Sequence, residues 1–132
     1  MSIGREELVL LTDSAGAECE DFIAWLHKPL LVFPYGCSYR RRLEELLAGE
    51  GIVPSQMIEF TSLAAIIASL SAGLGISLFP ASAVHTFLAG RTLSAHKIPE
   101  PYRTVDIRFV WRKTPWDNKT LTAFVNTITA NL

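Results

Sequence analysis

The chain is 132 residues long, with 12 basic and 13 acidic side chains and a formal charge of −1. That is one domain's worth of sequence, and its charge balance excludes a strong general attraction to nucleic acid or to a membrane surface. Two cysteines, Cys19 and Cys37, are too few and too irregular for a disulfide framework or a zinc site.

The opening MSIGREELVLLTD places Arg5, Glu6 and Glu7 before a short apolar run. It lacks the basic end and long apolar centre of a secretory signal, so the expected compartment is the cytoplasm. Glu7–Thr12 reads as a strand ended by Asp13-Ser14. A short helix is expected within Glu18–His27, where Phe22, Ile23 and Leu26 share a face, and Pro29 closes it. Leu30–Phe33 is wholly apolar, as for a strand buried on both faces, and Pro34-Tyr35-Gly36 turns out of it. Ser38–Ala48 reads as a helix with Leu43, Leu46 and Leu47 inward. Arg40/Glu44 and Arg41/Glu45 are outer pairs four residues apart, and Gly49 and Gly51 end the helix. The triplet Arg40-Arg41-Arg42 is thereby a solvated helix face rather than a nucleic-acid patch. Gln56–Phe60 is the next strand.

The run Thr61–Pro80, TSLAAIIASLSAGLGISLFP, carries no charge and has about the 20 apolar residues that span a bilayer. Its interior favours another reading. Leu63, Ile66, Ile67 and Leu70 lie on one face of a helix over Ser62–Ala72. Gly73 and Gly75 then allow a tight turn into a strand, Ile76–Phe79, stopped by Pro80. No basic cluster flanks the run to orient a membrane span. Further on, Pro99 and Pro101 separate Thr92–Ile98 from Thr104–Arg112, where Val105, Ile107, Phe109 and Trp111 alternate with polar residues. Thr114-Pro115-Trp116-Asp117 reads as a helix start with Thr114 as cap. The helix after it is expected to bury Leu121, Phe124, Val125, Ile128 and Leu132. Strand and helix alternating at this spacing indicate an α/β fold with a parallel sheet.

In such a sheet, ligands gather beyond the carboxyl ends of the strands, where helices begin. Two such places stand out: Tyr35-Gly36-Cys37-Ser38-Tyr39 and Phe60-Thr61-Ser62. Both offer free N–H groups, a partial positive dipole and a hydroxyl, which suit a carboxylate or phosphate. The plainer role for Ser38, Thr61 or Ser62 is to cap its own helix. Cys37, at a helix start with three arginines after it, is a candidate redox thiol with Cys19 as its resolving partner, or a nucleophile. No base is visible beside it in the sequence, and it also fits as a small turn residue. His27, His85 and His96 have no ligand-spaced neighbours, so no metal is expected. No G-x-S-x-G elbow is present, and Gly73-Leu74-Gly75 is not a dinucleotide fingerprint, so no cofactor and no enzymatic activity are expected.

Residues Pro29–Val84 resemble the second lobe of the effector-binding domain of LysR-type transcriptional regulators. The marks are Phe33 followed by Gly36-Cys37-Ser38-Tyr39-Arg40, then Gly51-Ile52-Val53-Pro54, Glu59-Phe60-Thr61-Ser62-Leu63, and Ala72-Gly73-Leu74-Gly75-Ile76 with Pro80. The resemblance implies a three-layer, Rossmann-like lobe, a mostly parallel sheet with helices on both faces. That lobe is half of a two-lobe domain of the periplasmic-binding-protein-like type 2 fold. It also implies one structural unit over 1–132, with a crossing strand at 7–13, a lobe core at 29–90, a return strand at 104–113 and a C-terminal helix at 116–131. The implied function is effector sensing: a small, anionic metabolite bound between two lobes. The implied contacts are Tyr35, Gly36, Cys37, Ser38, Tyr39, Thr61, Ser62, Phe79 and Pro80. DNA would be reached only through an N-terminal winged helix-turn-helix that the resemblance does not cover, in a full-length dimer or tetramer, with no membrane partner. Most of lobe one also falls outside the resemblance, which leaves the stripe from Leu121 to Ile128 to fold back or to pair with a second copy. The alternatives are a solute-binding lobe of a transport protein and a Cys37-based redox sensor.

Overall fold

Strand β1, Ser2–Asp13, organises the molecule. In the computed structural model, which describes residues 1–14, 22–90, 92–113 and 115–132, its outer half is partly exposed and its inner half, from Leu8 to Thr12, is buried. The halves differ because their neighbours differ. Residues 2–7 pair antiparallel with β6, Thr104–Arg108, through a register shift between Ser2 and Gly4. Residues 8–13 lie between β4, Ser77–Pro80, and β5, Leu93–Lys97, antiparallel to both.

The remaining strands are β2, Leu30–Val32, and β3, Met57–Glu59, which pair in parallel. They join the β4 side through a bridge between Leu30 and Ile76. There the Leu31 N–H donates to the Ile76 carbonyl at 2.8 Å, and the Ser77 hydroxyl donates to the Leu31 carbonyl at 2.6 Å. The spatial order is β3-β2-β4-β1-β5, with β1 alone reversed. Pairing is mixed, parallel between β2 and β3 and at the Leu30–Ile76 bridge, and antiparallel wherever β1 takes part.

Apolar residues alternate on these strands, and that alternation builds two cores. Leu8, Leu10, Leu30, Val32 and Leu78 face one way, against Trp25, Leu26 and α2, Ser38–Gly49, through Leu43, Leu46 and Leu47. Val9, Leu11, Leu31 and Phe79 face the other way. They meet α3, Leu63–Ser71, and α4, Ala81–Ala89, through Ile66, Ile67, Leu70 and Val84. With helices on both faces, this is the three-layer α/β lobe expected from the sequence.

The ambiguous run resolves into α3 and β4. The chain turns at Gly73 (φ +78°), and a Cβ at Gly75 would collide with the Pro29 carbonyl, so only glycine lets β4 approach β2 here. Among the described residues no helix is long and apolar enough to cross a membrane.

Other expectations need correction. β1 begins at Ser2 rather than Glu7, because β6 supplies a partner for residues whose own pattern is polar. β6 ends at Arg108 rather than Arg112, since β1 runs out beside it; the last contact is the Phe109 N–H to the Met1 carbonyl at 2.8 Å. Helix α4 follows Pro80 where no helix was read. Between residues 18 and 27 the described helix is α1, Phe22–Trp25, and the buried residues there are Trp25 and Leu26 while Ile23 is exposed. Cys19 and the start of that segment lie outside the described residues, as does Thr114.

Helix α5, Lys119–Ala130, is capped by Asn118, whose side-chain oxygen accepts from the Leu121 N–H at 3.0 Å. Its expected stripe is not buried. Leu121, Val125 and Ile128 are half-buried, and Phe124 and Leu132 are exposed. Among the described residues little apolar surface lies against it: the Phe124 ring is 5.3 Å from that of Phe109, at the edge of the protein.

Candidate functional site

Strands β2, β3 and β4 run out at Val32, Glu59 and Pro80, and α2, α3 and α4 begin within a few residues of those ends. Three helix N-termini therefore gather at one edge of the sheet, each with unbonded N–H groups and the positive end of its dipole. Because β1 is reversed, it enters the sheet at this same edge, with Leu8 opposite Pro80, which brings Glu6 and Glu7 there.

The first segment, residues 35–39, forms the wall beside α2. Gly36 takes φ +97°, a left-handed turn that leads the chain from Pro34 into the helix. Cys37 occupies the cap position of α2 without a capping hydrogen bond from its side chain, and its half-buried thiol is in no disulfide. Ser38 is exposed at the helix start. Tyr39 is half-buried, its ring edge-on to Phe79 at 6.0 Å; Phe33 meets the same ring at 5.8 Å. Burial pushes the Tyr39 phenol above its ordinary range, and the facing Glu6 carboxylate pushes it further.

Arg40, expected as an outer charge on α2, is instead buried. The residue is 5% exposed. Its Nε donates to Glu44 at 3.1 Å and its Nη1 to Glu59 at 2.8 Å and to the Phe33 carbonyl at 3.1 Å. The guanidinium also lies 3.9 Å from the ring centre of Tyr35, which is itself 82% exposed. The bond to Glu59 above all holds the proton on Arg40. One side chain thus ties the ends of β2 and β3 to the first turn of α2 and fixes the 33–37 loop between them. Helical spacing suggested the Glu44 partner, but nothing in the local sequence signals Glu59, which is 19 positions away.

The second segment sits at the head of α3. Thr61 and Ser62 are exposed, and the Ser62 hydroxyl accepts from the Ala65 N–H at 3.4 Å, so Ser62 caps its helix. Phe79 and Pro80 are buried. A groove of about 720 Å³ opens between α2 and the β1–β6 pair, lined by Glu6, Ser38, Tyr39, Arg41, Arg42 and residues 105–108. A smaller hollow of about 190 Å³ adjoins it, bounded by Tyr35, Gly36, Cys37, Ser38 and the Arg40, Arg41 and Glu44 side chains. The structure thus brings residues 35–39 together around two connected depressions. Thr61 and Ser62 share the sheet edge but line neither.

Sequence reading missed Glu6 and Ser82. The Ser82 hydroxyl, in the first turn of α4, donates to Glu6 Oε1 at 3.3 Å. Their juxtaposition comes from the reversal of β1, which no local pattern records. Among the described residues there is no group of His, Cys, Asp and Glu able to hold a metal ion.

The LysR substrate binding domain family matches the chain over residues 1–132. The chain belongs to this family. It is 37% identical over 126 residues to the HTH-type transcriptional regulator CzcR of Bacillus cereus, a match covering 96% of this chain and 43% of that protein. It is 35% identical over 124 residues to the HTH-type transcriptional regulator SoxR of an Arthrobacter species, covering 94% of this chain and 42% of the relative. The chain therefore spans less than half the length of these curated relatives. Among solved structures, the effector binding domain of QuiR in complex with shikimate superposes with a TM-score of 0.78 at 20% identity, over 99% of this chain and 63% of that one. The regulatory domain of MetR from N. meningitidis gives 0.75 at 17% identity, over 98% and 62%. At these identities the likeness establishes the fold, that of LysR regulatory domains.

Proposed function

We propose that the chain is the effector-sensing part of a LysR-type regulator and that it is not an enzyme. A small metabolite with an anionic group binds at the carboxyl edge of the sheet. The observation that carries this reading is the gathering of three helix N-termini at that edge, in a chain whose curated relatives are transcriptional regulators. The anionic group is held by the Gly36–Tyr39 backbone, the Ser38 hydroxyl and the Thr61–Ser62 segment. Tyr35 and Tyr39 form the aromatic side. Phe79 and Pro80, being buried, shape the wall from behind by seating Tyr39. Cys37 contributes a small side chain at the helix start. The paired strands β1 and β6 are the two crossings to the other lobe, which supplies the facing wall. Closure of the lobes then alters the arrangement of DNA-binding domains in a cytoplasmic homo-oligomer. The regulator reading is preferred to a solute-binding one because helix-turn-helix regulators share 35–37% identity with the chain. QuiR, of the same fold, was solved with shikimate, an organic acid of the class expected here.

Amide chemical shifts recorded during titration with a panel of organic carboxylates, shikimate included, test the site. A binding carboxylate should move the amides of residues 36–39 and 61–62. Thr61→Val should weaken that binding by about ten- to a hundredfold, the worth of one hydrogen bond to a charged group. An unchanged affinity removes Thr61 from the site.

A further inference from the structure

The proposed site leaves one charged side chain unused. Glu6 lines the groove from β1, half-buried, across from the first turns of α2. The groove's other acid, Asp106, is already paired, with Arg5 at 3.1 Å and Arg108 at 3.9 Å. Glu6 has no cationic partner among the described residues. It meets neutral groups, the Ser82 hydroxyl at 3.3 Å and the facing Tyr39 phenol. Neutral donors orient a carboxylate without cancelling its charge, and two oxygens accept about four hydrogen bonds between them, so capacity toward the groove is left over.

The far side of the groove carries cations. Arg41 and Arg42 share the single carboxylate of Glu45, at 3.8 and 3.4 Å. Both guanidiniums line the groove near the N-terminal end of α2, where the dipole is positive as well. The space between, about 720 Å³, lies within the range of small-molecule sites.

A carboxylate without a cationic partner on one wall and two guanidiniums on the other fit a ligand that carries both charges. We infer that the effector is a zwitterion, an α-amino acid or a close derivative, with its ammonium on Glu6 and its anionic group at Ser38, Arg41 and Arg42. This rests on the cleft reading above and narrows it, because a plain organic acid would leave Glu6 facing a second negative charge.

The test is amide-shift titration of the full chain with matched pairs. L-Aspartate is set against succinate, L-glutamate against glutarate, and L-phenylalanine against 3-phenylpropionate. At least one amino acid should move the amides of residues 6, 38–42 and 82 while its deaminated partner binds about tenfold more weakly. Glu6→Gln, isosteric and half-exposed, should remove that preference, and Glu6→Asp should restore part of it. Amide dispersion checks that each variant is folded. If the deaminated acids bind residues 36–42 as tightly as the amino acids do, or if Glu6→Gln leaves the preference in place, the zwitterion is wrong and the anion cleft stands. If neither class moves these amides, both fail.

Discussion

Helices α2 and α5 each have twelve residues and a clear apolar stripe, yet they meet opposite fates. α2 buries Arg40, Leu43, Leu46 and Leu47 beneath the sheet; α5 buries nothing. The difference is in what each stripe finds. β2, β4 and the inner half of β1 present Leu8, Leu10, Val32 and Leu78 to α2. α5 finds Phe109, which is itself only half-buried and whose ring also leans on Trp111 at 5.3 Å. An amphipathic pattern specifies a face that needs cover, and it does not specify the cover.

The largest effect that would test this contrast is cavity formation. Leu46→Ala, in the closed core, should cost about 3–5 kcal/mol in denaturant unfolding, whereas Val125→Ala in α5 should cost about 1 kcal/mol or less. Equal costs would mean that α5 is covered in solution. Next is the ion cluster under the 33–37 loop. Arg40→Ala leaves Glu44, Glu59 and the Phe33 carbonyl without their donor and should cost about 2–4 kcal/mol, moderated because both acids are partly exposed. Arg41→Ala, an exposed pair partner, should stay within about 0.5 kcal/mol. The caps come third: Ser62→Ala and Asn118→Ala each remove one bond and should each cost about 1 kcal/mol. In α5 the Asn118 change should also speed amide exchange along the helix, while α3 stays protected by its packed Ile66, Ile67 and Leu70.

The smallest expected effect is on pH dependence. At the far edge of the sheet His96 contacts the Thr12 hydroxyl at 2.9 Å and stacks on Trp25 at 6.0 Å, and burial lowers its pKa. Between that lowered value and the ordinary one, the unfolded chain binds more protons than the folded one, so stability rises with pH across this window. Acidification from pH 7.5 should therefore weaken the fold as pH falls below the ordinary histidine value, and the loss should level off below the folded-state pKa. His96→Gln should flatten that segment of the curve. An unchanged slope in the variant would assign the pH dependence to other groups.

Much of the framework of the candidate site was legible because its elements are short and sharply punctuated. Gly36 with Ser38, the strand before Thr61-Ser62, and Gly73 with Gly75 each mark a strand end or helix start through local chemistry, and the structure has its turns there. Arg40 was misjudged because an arginine four residues before a glutamate has the same local pattern on a wet face and over a strand end. Glu6 and Ser82 were missed because they belong to elements 76 positions apart that only the reversed β1 brings together.

The sequence by itself determined the alternation that makes Leu8 and Leu10 face α2 while Val9 and Leu11 face α3, since a period of two on a strand admits no other arrangement. It determined the starts of α2 and α3 at the carboxyl edge and, through glycine at 75, the close passage of β4 by β2. Only the tertiary structure decided which charges were neutralised and which stripe was covered. Those depend on what lies across a gap of several ångströms, and no local spacing encodes the opposite bank: Glu59 under Arg40, Ser82 beside Glu6, and almost nothing against α5.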